Sequence, residues 1–331
     1  MQDKRFEGCA VQPCASVDIH PVTSPATRTL PQVRLTGKCD RYVLSNGVEI
    51  PCLGFGTYMI PNDAEGAAAV RAALDLGFRH IDGAANYNNE DMVGRVLASS
   101  GVARRDVFLT SKLKNTEQGY EKTLAAFDRT LADLGTDYLD LYLIHWPKVA
   151  GTEDRWEEII ADTWRAFEEL YEAGRVRAIG VSNFLVHHLE TLERHARIMP
   201  HVNQIELNPT YQQRETVAWC EQRGIQLEAW APLGRGRLMR DEHVLALAER
   251  LGKDAGQVCV RWALQKGFIT MPKSTKLARI KSNSEVFDFE LSPEDMALLD
   301  SYNTDDNYTF HPDRLAEWAE RVAAAHRESG V

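Results

Sequence analysis

Eight short apolar runs, each bounded by polar turns and separated by stretches of helical spacing, constrain this chain more than any other feature. They fall at residues 53–56, 79–82, 107–112, 139–145, 176–182, 202–206, 226–230 and 268–272. Runs this short and rich in β-branched and aromatic residues read as buried strands. Between the third and fourth, Tyr120, Leu124, Phe127, Leu131 and Leu134 recur at helical intervals, and Gly135 stands where a helix ends. Trp164, Phe167, Leu170 and Tyr171 repeat the pattern before Gly174, and two helices fit at about 241–251 and 255–265. Strands alternating with helices imply a parallel sheet, and closure leaves no edge. The fold expected is therefore an α/β (β/α)8 TIM barrel.

A barrel of this kind takes about 250 residues, which leaves flanking segments in a chain of 331. Residues 1–40 are polar, carry Pro13, Pro21, Pro25 and Pro31, and read as a disordered arm. An N-terminal β-hairpin follows, with Asn46-Gly47 in a type I′ turn between 42–44 and 48–50. Residues 41–303 form one barrel domain and 304–331 a tail. Ser292-Pro293-Glu294-Asp295 starts an extra C-terminal helix, and Leu315, Trp318 and Val322 mark a short one in the tail.

A net charge of −10 argues against a nucleic-acid surface. No apolar run approaches the roughly 20 residues of a membrane span. Six cysteines show neither a C-x-x-C pair nor metal-ligand spacing with histidine. No signal or transit peptide is evident at the start. A cytoplasmic monomer without disulfides or a metal is expected.

Polar residues at the C-terminal ends of barrel strands are where such folds build active sites. Asp82, Lys112 and His145 each close an apolar run, and Tyr87 follows Asp82 in the next loop. Alone, each has an ordinary explanation: a cap, an ion pair, packing, a core histidine. Together on one rim they are the parts needed to protonate a carbonyl oxygen. Tyrosine supplies the proton, although its free pKa of about 10 makes it a reluctant acid. An adjacent Lys112 ammonium would lower that pKa, Asp82 would hold the lysine, and His145 would donate to the carbonyl oxygen.

Leu53-Gly-Phe-Gly-Thr57, His80-Ile-Asp-Gly-Ala-Ala-Asn-Tyr-Asn-Asn-Glu90, Leu143-Ile-His-Trp-Pro147, Ile179-Gly-Val-Ser-Asn-Phe184, Val202-Asn-Gln-Ile-Glu206 and Pro272-Lys-Ser274 carry a resemblance to the aldo-keto reductases. It covers about residues 44–303 and is nearest the branch holding prostaglandin F synthases, diketogluconate reductases and glyoxal reductases. The resemblance implies an NADPH-dependent reductase of aldehydes or ketones, with Asp82, Tyr87, Lys112 and His145 as catalytic tetrad and Tyr87 as general acid. It implies a small-molecule carbonyl substrate bound by Tyr87, His145, Tyr58 and Trp146. Gly56, Thr57 and Asp82 would flank an extended cofactor, Ser182, Asn183 and Gln204 would hold its carboxamide, and Trp230 would stack on its ring. Leu233 would belong to the loop near the pyrophosphate. Lys273, Ser274, Thr275, Arg279 and Asn283 resemble a site for an adenosine 2′-phosphate.

The sequence departs from the family pattern in places. Trp230 stands for a tyrosine, Ala231 for a serine, Gly83 for a threonine, Lys114 for a tryptophan beside the pocket, and Asn208 for a histidine. A rival reading is a cofactor-binding barrel acting as a regulatory or interaction subunit, since fold alone does not decide function.

Overall fold

A computed structural model describes residues 35–152, 154–305 and 311–314. Among the described residues ten strands occur: β1 (Arg41–Val43), β2 (Glu49–Pro51), β3 (Phe55–Gly56), β4 (His80–Asp82), β5 (Phe108–Leu113), β6 (Leu139–Ile144), β7 (Val176–Ser182), β8 (Val202–Glu206), β9 (Gln226–Trp230) and β10 (Ile269–Met271). The helices are α1 (Ala64–Asp75), α2 (Glu90–Ser99), α3 (Tyr120–Leu134), α4 (Trp156–Glu172), α5 (Val186–Glu193), α6 (Arg214–Gln222), α7 (Glu242–Leu251), α8 (Ala255–Gln265), α9 (Leu277–Ser284) and α10 (Pro293–Asp300).

Strands β3 to β10 pair in chain order, all parallel. The two ends meet: the Gly54 amide donates to the Thr270 carbonyl at 3.0 Å and the Thr270 amide to Cys52 at 3.1 Å. The eight runs of the sequence thus close into a (β/α)8 barrel. Pro272 lies outside β10 because it has no N–H for the ladder. Phe268 is held back by its bond to Ala263 at the end of α8.

Strand alternation sorts the core. In β6, Tyr142 faces outward, edge-on to Phe127 of α3 at 5.0 Å and stacked on Phe167 of α4 at 4.7 Å. Ser111 of β5 likewise faces outward to Glu90 of α2 at 2.5 Å, which leaves Lys112 facing in. Helix ends follow the sequence signals. Gly135 caps α3 in the left-handed region, and Ser292 caps α10 by accepting from the Asp295 amide.

The hairpin of β1 and β2 sits at the opposite end of the barrel, where Asn46 donates to the Arg177 carbonyl at 2.9 Å near the start of β7. Its turn differs from the type I′ expected. Only Gly47 has positive φ, at 84°, and the Leu44–Val48 bond encloses three residues. That is a type I turn followed by a left-handed glycine. The expected arm boundary at 40 also shifts. Leu35 is buried in the core, the Gly37 amide donates to Asp40, and Lys38 donates to the Leu76 carbonyl. Residues 1–34 and the stretch carrying Leu315, Trp318 and Val322 lie outside the described residues. Among the described residues no helix is long and apolar enough to cross a membrane.

Candidate active site

The C-terminal ends of β4, β5 and β6 bring Asp82, Lys112 and His145 to one mouth. Lys112 is fully buried and donates to both Asp82 oxygens, at 2.7 and 2.8 Å, and to the Gly83 carbonyl at 2.8 Å. Burial is the largest single influence and would depress the lysine pKa, but the charge and hydrogen bonds of Asp82, with Tyr87 and Glu228, together outweigh it and the net shift is upward. The ammonium therefore keeps its proton.

A 3₁₀ turn at Ala85–Tyr87 carries Tyr87 back over this pair. The Lys112 nitrogen lies 5.2 Å from the Tyr87 ring centre, and the His145 ring 5.6 Å away, edge-on. The expectation that Lys112 lowers the phenol's pKa needs correction. Lys112 does pull downward, yet desolvation by the cleft walls is larger and pushes Tyr87 up to about 12. Burial and the Lys112 charge together hold His145 well below its usual range, so its imidazole is neutral, and among the described residues its buried Nδ1 has no hydrogen-bond partner. Tyr58, 44% exposed, stands 5.2 Å from Tyr87 across the mouth, with the Arg235 guanidinium 5.7 Å above its ring. Trp146 stacks beside His145 at 6.4 Å.

A second cluster follows β7, β8 and β9. Ser182 donates to the Gln204 carbonyl at 2.8 Å, and Asn183 donates to the His145 carbonyl at 2.9 Å and to Ser182 Oγ at 3.1 Å. The Trp230 indole donates to Asn183 Oδ1 at 2.9 Å. Asn183 has φ 63°, one of several non-glycine residues at positive φ in the loops after barrel strands, with Met59, Asn88, Ala231 and Arg235. Each such residue costs on the order of 1–3 kcal/mol, and this kind of strain concentrates at functional sites.

Beneath this cluster lies a network the sequence reading missed. Gln204 Nε2 donates to Asp82 Oδ1 at 2.8 Å and to Glu228 Oε2 at 2.9 Å. An atom that close to two carboxyl groups, one paired with Lys112, must be the amide NH2 rather than its oxygen. Glu228 is fully buried, and desolvation together with the Asp82 charge pushes its carboxyl up to about 8. One carboxylate, Asp82, carries the negative charge opposite Lys112, and Glu228 keeps its proton near neutrality. His80 joins on the far side, 3.0 Å from Thr110 Oγ1 and 3.8 Å from Glu228 Oε1. The only sequence signal was an acidic residue inside the apolar run 226–230.

Gly56 and Thr57 join the two clusters to the barrel seam. The Gly56 amide donates to the Pro272 carbonyl at 3.2 Å, and both the amide and the hydroxyl of Thr57 donate to the Asp82 carbonyl at 2.9 Å. Lys273, Ser274 and Thr275 connect β10 to α9, Arg279 is exposed in the first turn of α9, and Asn283 is buried in its last. Among the described residues neither Lys273 nor Arg279 has a carboxylate partner. A methyl group at Gly256 would meet both Leu233, at 3.2 Å, and Asn283, at 3.4 Å, so these two approach one another.

At the rim, His187 and His188 at the start of α5 stand 3.1 and 3.2 Å from Asp313 Oδ1. A metal does not fit this set. The Leu185 amide donates to His188 Nδ1 at 3.2 Å, which places the ring proton on Nε2, the atom that would have to ligate. Lys148 pairs with the same Asp313 oxygen, at 2.5 Å. The cluster clamps the chain after β10 against the loop after β6.

Residues 52–304 match the aldo/keto reductase family. The glyoxal reductase of Bacillus subtilis (strain 168) is 50% identical over 276 residues, covering 83% of this chain and 97% of that protein. An aldo-keto reductase from a Medee basin deep-sea metagenome library superposes with a TM-score of 0.78 at 43% identity, over 82% of this chain and 98% of the other. A Bombyx mori aldo-keto reductase solved in complex with NADP gives 0.74 at 34% identity, over 81% and 94%. By its barrel, its rim residues and this extent of identity, the chain belongs to the aldo/keto reductase family.

Proposed function

We propose that the chain is an NADPH-dependent oxidoreductase that reduces aldehydes or ketones to alcohols, with Tyr87 as general acid. The observation that carries this reading is the buried Lys112–Asp82 pair set 5.2 Å beneath the Tyr87 ring. A buried ammonium costs several kcal/mol to desolvate, and here it stabilises the phenolate that remains after Tyr87 gives up its proton.

The residues present fit a nicotinamide cofactor. Ser182, Asn183 and Gln204 cluster at the ends of β7 and β8, Trp230 offers an aromatic face, and Lys273 with Arg279 offers cations that lack a carboxylate partner among the described residues. Gly56, Thr57, Leu233, Ser274, Thr275 and Asn283 would line the cofactor between these ends. NADPH bound there would supply the hydride. A phosphate held at the start of α9 would also be favoured by the helix dipole.

The chain's own residues handle the proton. The substrate oxygen is received between the Tyr87 hydroxyl and the neutral His145 imidazole, which donates one hydrogen bond and orients it. As negative charge develops on that oxygen, the Tyr87 proton transfers to it. A phenol near pKa 12 is still more acidic than the alcohol being formed, so the transfer runs downhill. Asp82 keeps Lys112 charged throughout. Tyr58 and Trp146 wall the substrate from the sides.

Steady-state oxidation of NADPH with a panel of aldehydes and ketones tests this. Turnover is expected. If no carbonyl compound is reduced, the barrel is a binding or regulatory protein instead.

A further inference from the structure

Lys114 carries a charge that no described residue neutralises. It follows the last residue of β5 with an extended backbone, φ −63° and ψ 135°. Ser111 faces the helices and Lys112 faces the barrel axis, so alternation sends Leu113 outward and Lys114 inward. Leu113 and Ile144 form the last pair of the ladder, so Lys114 and His145 are the residues that leave β5 and β6 next to one another. His145 also faces inward, against Tyr87.

The side chain is half-buried. Among the described residues its ammonium has neither a carboxylate nor a hydrogen-bond acceptor. Its neighbours differ: Lys112 is satisfied by Asp82 and Gly83, and Lys148 by Asp313. Partly desolvating a cation without a partner is unfavourable. An anionic group on the ligand would complete the site. Arg235 above Tyr58 adds a second cation on the other side of the mouth.

We infer that Lys114 is a specificity-determining residue that selects carbonyl substrates bearing a carboxylate next to the reacting carbonyl, the 2-oxo acid class. This rests on carbonyl reduction at Tyr87. With the carbonyl oxygen between Tyr87 and His145, a carboxylate on the adjacent carbon lies on the Lys114 side. The carboxylate makes and breaks no bond. The carbonyl π bond opens, its carbon gains hydride from NADPH, which is oxidised to NADP, and its oxygen gains the Tyr87 proton. The product is a 2-hydroxy acid.

The test uses benzoylformate and its methyl ester, which share one skeleton and differ in charge. The ratio of their kcat/KM values is compared between wild type, Lys114→Met and Lys114→Arg, which cancels the ester's greater electrophilicity. The acid-to-ester ratio is expected to fall about tenfold to a hundredfold in Lys114→Met, the worth of a hydrogen bond to a charged group, mainly through KM. Lys114→Arg is expected to recover most of it. An unchanged ratio in Lys114→Met overturns the inference, as does a wild type that reduces simple aldehydes but not benzoylformate. Absence of any NADPH-linked reduction overturns the proposed function itself. Should Lys114→Met not fold, added salt serves on wild type: the ratio is expected to drop as screening grows, and a flat ratio counts against Lys114.

Discussion

The indole nitrogen of Trp230 donates to Oδ1 of Asn183 at 2.9 Å, so the residue proposed to stack on the nicotinamide also fixes the amide proposed to hold its carboxamide. With Oδ1 occupied, Asn183 turns its NH2 to Ser182 and to the His145 carbonyl. One side chain thereby sets the face and the edge of the ring site together, and ties both to the loop carrying the proposed substrate-orienting histidine.

Trp230→Phe keeps an aromatic face and deletes that bond. A neutral hydrogen bond is worth about 0.5–1.5 kcal/mol, so NADPH affinity is expected to weaken by roughly two- to tenfold. Fluorescence titration measures it. Unchanged affinity would show that Asn183 holds its orientation without the indole.

Tyr87→Phe preserves the ring contacts with Tyr58 and His145 and removes the proposed proton donor. Reduction is expected to fall by about 10²–10⁴-fold, while NADPH binding stays close to wild type. Near-normal turnover would remove Tyr87 from the proton transfer.

The strands and the rim residues were legible because both follow local rules. An apolar run that ends in a polar residue marks a buried strand and the place where its side chain emerges. Asp82 and Lys112 obey this, and so does the pairing between them. Other features depend on what surrounds a residue. Glu228 sits inside an apolar run, and nothing in the run says that it meets Gln204 across a strand pair. The Tyr87 shift reverses because desolvation by the walls exceeds the pull of Lys112. The His187–Asp313 contact spans 126 residues, beyond the reach of any spacing argument. The hairpin failed differently: Asn-Gly marked the turn correctly but did not fix its length.

Glu228 supplies a prediction about pH. Its folded carboxyl is raised to about 8, above its unfolded value. Between the two the folded state binds the extra proton, so this group's contribution to stability is present at low pH and is lost as pH rises toward 8. Glu228→Gln stays neutral and can still accept from Gln204. The variant should match wild type near pH 5 and exceed it near pH 8.5 by on the order of a few kcal/mol. Denaturant melts at both pH values measure this. A gap independent of pH would mean that Glu228 does not titrate in that window.

Cofactor choice is predicted to depend on Arg279. NADPH and NADH differ only in the 2′-phosphate, and a chain of net charge −10 needs local cations to hold a dianion. Arg279 in the first turn of α9 has no carboxylate partner among the described residues, and its planar fork can take two phosphate oxygens where Lys273 acts as a point charge. Wild type should prefer NADPH. A hydrogen bond to a charged group is worth about 1.5–3 kcal/mol, so Arg279→Ala is expected to weaken NADPH binding by roughly tenfold to a little over a hundredfold and leave NADH almost untouched. Titrating both proteins with both cofactors decides it. Equal losses for the two would assign Arg279 to the adenine or to the fold of α9, and the 2′-phosphate would then have to be read by Lys273 and the amides around Ser274 and Thr275.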